Sequence, residues 1–193
     1  NRDDDRDVGS GIVGHECESV GIGAVCSPEG EGATVDSRPM DLSSIFKAYD
    51  IRGLVPEELD EESARRIGSA FAEFVPSDEV IVGYDCRLSS PALCDALVDG
   101  ITRQGVDVRL IGEVPTDVLY YASGALSLPG VVITASHNPP QYNGMKFCQA
   151  AAAPIGEETG LADIRRSAEA DVPPHNHRGS VLEQDVIDGY VDH

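Results

Sequence analysis

"GVVITASHNPPQYNGMK", residues 130–146, changes character partway along. Residues 130–134 are an apolar, β-branched run, the composition of a strand buried on both faces and hence of a sheet with helices on each side. The next residues pack a serine, a histidine, an asparagine, two prolines and a lysine into one short turn. Asn138 precedes proline and is pushed toward extended geometry, while Pro139 and Pro140 stiffen the chain. Along an extended segment the side chains of Ser136 and His137, being neighbours, would not face each other. A rigid, polar turn at the mouth of a buried strand suits a group that must stay fixed while a substrate moves.

Outward from this strand, the chain alternates helix and strand. Asp60 can cap a helix whose apolar residues Ala64, Ile67, Phe71, Phe74 and Val75 recur at helical spacing. "EVIVGY" (79–84) reads as a strand, and Ser90-Pro91 as the cap and first turn of a helix ended by Gly105. "VDVRLIG" (106–112) is the next strand, Thr116 opens a helix, and residues 144–148 form a fourth strand. A helix is expected over 159–170, and the start of another within 182–193. This order predicts an α/β three-layer α/β/α sandwich around a mainly parallel mixed sheet of about four strands. In such sheets ligands bind beyond the carboxyl ends of the strands. "DCRLSS" (85–90), "EVPT" (113–116) and "ASHNPP" (135–140) all follow strands and so open on one edge.

The globular pattern begins near Met40. Residues 1–39 are acidic and glycine-rich with few large apolar side chains, the composition of a disordered tail. Gly9–Gly14 matches G-x-G-x-x-G, but no strand precedes it, so the dinucleotide reading fails its context. His15, Cys17 and Cys26 lack a C-x-x-C pair and make a poor zinc set. Five scattered cysteines read as free thiols, with Cys86 and Cys148 as small hydrophobes in or beside strands. A net charge of −20 argues against nucleic acid. No apolar run is long enough to span a bilayer and no leader layout is visible, so a cytoplasmic, non-membrane protein is the expectation. Of the basic residues, twelve are arginine and only Lys47 and Lys146 are lysine.

A serine at this edge needs either a base to ionise it or a phosphoryl group already attached. The G-x-S-x-G elbow of Ser-His hydrolases is absent, as is a Walker-type loop. A turn whose Ser and Asn merely cap local backbone explains Ser136 alone better than it explains the whole set. "TASHNPPQYNGMK" (134–146) resembles the phosphoserine loop of the α-D-phosphohexomutases, and "FKAYDIRG" (46–53) is similar to the opening of their phosphomannomutase/phosphoglucomutase group. "GYDCRLSSPAL" (83–93), "VPTDVLYYA" (114–122) and "PIGEETGLADIR" (154–165) fall in that family's order. The resemblance covers residues 41–193 and corresponds to the family's first domain.

The resemblance implies that Ser136 carries a phosphate exchanged between hexose 1-phosphate and 6-phosphate, of mannose or glucose, through a hexose 1,6-bisphosphate. It implies Mg²⁺ bridging the phosphate on Ser136, Lys146 as proton shuttle, and His137 assisting. Arg52 would contact the phosphate oxygens, while Arg87, Tyr49 and Asn138 would shape the phosphate and substrate pocket; Tyr49 could equally be core. The family's D-G-D-x-D-R metal loop does not occur in this sequence, nor do its sugar-reading loops. Residues 40–181 are therefore expected to be domain I, with 182–193 leading to a missing second domain. Domains II–IV, on the same or another chain, are the expected partners, and the chain alone is expected to be inactive. The competing reading is a non-catalytic sugar-phosphate-binding or assembly module derived from a mutase.

Overall fold

A computed structural model describes residues 40–193. Strand β1 (Ile51–Leu54) precedes helix α1 (Glu61–Phe74) and strand β2 (Glu79–Tyr84). There follow α2 (Ser90–Arg103), β3 (Asp107–Glu113), α3 (Thr116–Leu126) and β4 (Gly130–Ile133). Strands β5 (Tyr142–Gln149) and β6 (Ala153–Pro154), helix α4 (Leu161–Ala170), strand β7 (Val181–Glu183) and helix α5 (Ile187–Val191) complete the order.

The strands form one mixed sheet in the order β1-β5-β4-β2-β3-β7, with β6 paired to β5. β4, β2, β3 and β7 run parallel to one another. β5 runs antiparallel to β4, β1 and β6. Helices α1, α2 and α4 cover one face, over a core that includes Ile67, Phe71, Leu97, Ile133, Met145 and Ile164. On the other face, Val118, Leu119 and Ala122 of α3 pack on Ile81, Val132 and Cys148. The three-layer class is the expected one. The strand count is not: the sheet has seven strands rather than about four. The additional β1, β6 and β7 have four, two and three residues, too few for an alternating pattern to stand out. β7 straddles the 181/182 boundary beyond which the chain is expected to lead out of the domain, yet it pairs with β3 of this sheet.

Local chemistry explains the start of α1. Asp60 Oδ1 accepts the Ser63 backbone N–H at 2.8 Å while the Asp60 N–H donates to Ser63 Oγ at 2.9 Å, a reciprocal cap for α1. α2 begins one residue earlier than expected. Ser89 occupies the cap position without a side-chain cap bond, and Ser90 is already helical with Pro91 behind it. α4 starts at Leu161, after a 3₁₀ turn over Glu157–Thr159. Close approach of α1 and α2 depends on two glycines. A Cβ on Gly68 would lie 2.2 Å from the Leu97 carbonyl oxygen, and one on Gly100 would lie 2.0 Å from that of Arg65.

The expected tail, the Gly9–Gly14 match and the residues His15, Cys17 and Cys26 lie outside the described residues. Among the described residues no helix is long and apolar enough to cross a membrane.

Candidate active site

The carboxyl ends of β2, β3 and β4 share one edge, and the loop after β4 carries Ser136. The loop is tied down from within. The Ser136 N–H donates to Thr134 Oγ1 at 2.9 Å, the Asn138 N–H to the Ala135 carbonyl at 3.1 Å, and the Tyr142 N–H to the Pro139 carbonyl at 3.0 Å. Ser136 is forced into the left-handed region, with φ of 54°. For an L-residue this costs about 1–2 kcal/mol. The strain turns the side chain out of the strand direction and corrects the expectation for the Ser136–His137 pair. Both residues are exposed, and Ser136 Oγ lies 3.3 Å and 3.2 Å from His137 Nδ1 and Nε2. The two side chains do meet, because the backbone between them is not extended.

Two arginines grip the loop. Arg87 Nη2 donates to the carbonyls of Ser136 (2.7 Å) and Asn138 (2.9 Å), and Nη1 to those of Pro139 (2.9 Å) and Tyr142 (3.0 Å). Its Nε donates to Asp85 Oδ2 at 3.1 Å, so all five guanidinium N–H groups have partners. Arg52 approaches from β1 and donates through Nη1 to the Ala135 carbonyl and to Asn138 Oδ1. Its Nε and Nη2 donate to Asp50 Oδ2 at 3.2 Å and 2.9 Å. Both arginines thus touch the serine loop through its carbonyls and the Asn138 amide.

Lys146 stands within β5, opposite Val132 of β4, and not at the head of its strand. Its Nζ donates to Asp50 Oδ2 at 2.9 Å, the oxygen that also takes Arg52. Asp50 therefore couples the lysine to the arginine behind the serine loop. Tyr49 is 80% exposed, which removes the core reading, and it lines an open depression with Pro154, Glu157, Glu158 and Thr159. Cys86, read as a small hydrophobe in or beside a strand, is exposed just past the end of β2. Cys94 and Cys148 are buried, and burial pushes the Cys94 thiol up to about 12 and that of Cys148 upward as well. Among the described residues no three His, Cys, Asp or Glu side chains come together to hold a metal ion.

Asp50, Asp85 and Asn143 were not singled out from the sequence, and Ser90 was read only as a helix cap, although each matters to this geometry. The D-x-R spacing of Asp50-x-Arg52 and Asp85-x-Arg87 is no signal for the two carboxylates, since Asp107-x-Arg109 has it too and Arg109 pairs with Glu79 instead.

Fold and site together define an α/β/α domain that presents a strained, arginine-clamped serine turn at the carboxyl edge of its sheet. The chain belongs to the phosphoglucomutase/phosphomannomutase family: the model of that family's alpha/beta/alpha domain I matches residues 43–172. It is 48% identical over 158 residues to a phosphomannomutase of Salmonella typhimurium, covering 80% of this chain and 35% of that protein. A phosphomannomutase sequence of Klebsiella pneumoniae is 46% identical over 157 residues, covering 79% of this chain and 100% of the Klebsiella sequence. A crystal structure of a phosphoglucomutase/phosphomannomutase family protein from Burkholderia thailandensis superposes with a TM-score of 0.69 at 42% identity, covering 77% of this chain and 34% of that one. The chain spans about a third of the length of the Salmonella and Burkholderia proteins.

Proposed function

We propose that this chain is the phosphoserine-carrying domain of a phosphohexose mutase. Ser136 would pass a phosphoryl group to hexose 1- or 6-phosphate and take the other phosphate back from the resulting bisphosphate. The observation that supports this best is the state of Ser136: exposed, in left-handed backbone, on a turn held by both terminal nitrogens of Arg87 and by Arg52. Phosphoryl transfer asks little covalent chemistry of a protein and depends on position and charge, so a pinned carrier is what it needs.

In the forward step the P–Oγ bond of Ser136 breaks as a bond forms between phosphorus and a sugar hydroxyl oxygen. The sugar hydroxyl gives up a proton, and Oγ gains one. His137, within 3.3 Å of Oγ through both ring nitrogens, is placed to supply the proton there. Lys146, reached through Asp50 and Arg52, is proposed as the shuttle on the sugar hydroxyl. Mg²⁺, when bound, would neutralise the oxygens of the transferring group. This chain's contribution to that ion would be a phosphate oxygen on Ser136. The nearby Asp50 and Asp85 carboxylates already face arginines, so further ligands are proposed to come from the remainder of the enzyme.

The test is mass spectrometry of the chain after incubation with glucose 1,6-bisphosphate, Mg²⁺ and the remaining two thirds of the enzyme. One phosphate on Ser136 is the expected result. Equal labelling of a Ser136→Ala variant would refute the assignment. Binding of hexose phosphate without any labelling would favour the non-catalytic module.

A further inference from the structure

The guanidinium that grips the serine turn is itself held from behind. Asp85 Oδ2 accepts Arg87 Nε at 3.1 Å, and Oδ1 accepts the Arg87 backbone N–H at 3.1 Å. Ser90 Oγ donates to Asp85 Oδ1 at 2.6 Å, the short distance of a hydroxyl bonded to an ionised acceptor. With its proton committed to Asp85, Ser90 Oγ can only accept from Asn143 Nδ2, which lies 2.9 Å away. The other Nδ2 proton goes to Ser89 Oγ at 2.9 Å, and Asn143 Oδ1 accepts the Gly144 N–H at 2.9 Å. Ser90 and Asn143 have no exposed surface.

We infer that Asp85, Ser90 and Asn143 are positioning residues for Ser136, acting as a buried relay that orients the Arg87 fork. The relay starts in β5, crosses the first turn of α2, passes through the end of β2 and ends on four carbonyls of the serine turn. Donation runs from amide to hydroxyl to carboxylate on one arm and from guanidinium to the same carboxylate on the other, so both arms converge on Asp85. The end result is geometric. The planar fork takes the Ser136 and Asn138 carbonyls on one nitrogen and those of Pro139 and Tyr142 on the other. Because a trans peptide is planar, drawing the Ser136 carbonyl toward Arg87 turns the His137 N–H the opposite way. Rotation of this peptide would change ψ of Ser136 and φ of His137, whereas φ of Ser136 is set by the preceding peptide, whose Ala135 carbonyl accepts from Arg52. The relay thus fixes the peptide that follows Ser136. A lysine in place of Arg87 would keep the charge, but its ammonium has three donors at a point and no plane to match four carbonyls.

The functional meaning of the relay rests on Ser136 being the phosphate carrier; its positioning effect does not. The experiment follows amide hydrogen exchange in the 193-residue chain at Ser136, Asn138 and Tyr142, with the amides of β2 and β4 as internal reference. Ser90→Ala removes a single oxygen from the middle of the relay. Asp85→Asn sets a donor against Arg87 Nε or Ser90 Oγ. Either is expected to speed exchange at the loop amides about tenfold or more, the factor that corresponds to losing one charge-assisted hydrogen bond. Exchange in β2 and β4 should stay unchanged. Arg87→Lys should behave as Ser90→Ala does, and Ser90→Thr, which keeps the hydroxyl, should stay at the wild-type rate. Should Asp85→Asn fail to fold, Ser90→Ala decides the matter. Loop amides at wild-type rates in Ser90→Ala, or exchange rising equally across the reference strands, would overturn the inference. None of these readings needs a phosphate donor. A chain that is never phosphorylated therefore counts against the carrier role of Ser136 and leaves the relay standing.

Discussion

Lys146 and Arg52 share one oxygen of Asp50, and this arrangement separates what each cation does. The Asp50 side chain is only 13% exposed, so removing all its partners would leave a poorly hydrated charge. Removing Lys146 alone does not, because Arg52 remains bonded to Asp50 through Nε and Nη2. Lys146→Ala is accordingly expected to leave the melting temperature nearly unchanged. In enzyme reconstituted from this chain and its remainder, it should lower turnover about a hundredfold or more, a general acid–base contribution. A large melting shift with near-normal turnover would make the lysine structural. The sequence made Ser136, His137 and Lys146 legible because a dense polar turn follows an apolar strand. It did not show that Arg52 and Arg87 point at the turn's own carbonyls, since a side chain's partner some fifty to eighty positions away leaves no local trace.

Among the elements, α1 shows how charge near a helix start supports the fold. Glu62, in its first turn, accepts from Arg65 Nε at 2.9 Å and from Arg66 Nε at 2.8 Å. Burial pushes the Glu62 carboxyl up, but the hydrogen bonds from Arg65 and Arg66 outweigh it and hold the group below its ordinary 4.5. A depressed carboxyl contributes stability that is present above its unfolded value and is lost as the pH falls through the folded one. The side chain is 43% exposed, so solvent screens much of the effect. Glu62→Gln is expected to lower the melting temperature by roughly 1–3 °C at neutral pH, with the difference shrinking as the pH falls below the ordinary carboxylate value. Melting curves of both proteins across that range check it, and a difference that persists undiminished in acid would contradict it. The reciprocal cap on Asp60 and the helical spacing behind it made α1 readable in advance. The edge strands were not, because their backbone pairs only once β3 and β5 are in place.

At the scale of the molecule, Lys146 and nine arginines within the described residues each face a carboxylate. The positive charge near the serine turn is thus already engaged with Asp50, Asp85 and backbone carbonyls. A loose, metaphosphate-like transition state spreads charge over three oxygens and depends on neutralising it. The purified chain with Mg²⁺, hexose 1-phosphate and hexose 1,6-bisphosphate is therefore expected to show no steady isomerisation. Turnover should appear only when the further domains proposed to complete the enzyme are added. Steady turnover by the chain alone would defeat this.

The sequence by itself determined the α/β/α class, the shared carboxyl edge and the serine that stands on it. Those features follow from hydrophobic period, strand composition and turn chemistry, which act over a few residues. Tertiary structure alone decided the seven-strand order, the left-handed Ser136, the saturation of Arg87 and the bridging of Lys146 to Arg52 by Asp50. Each of these depends on groups far apart in the chain whose hydrogen-bonding partners are chosen only when the sheet closes. A buried donor or acceptor is costly unless paired, so the closed sheet, rather than local preference, selects the partner.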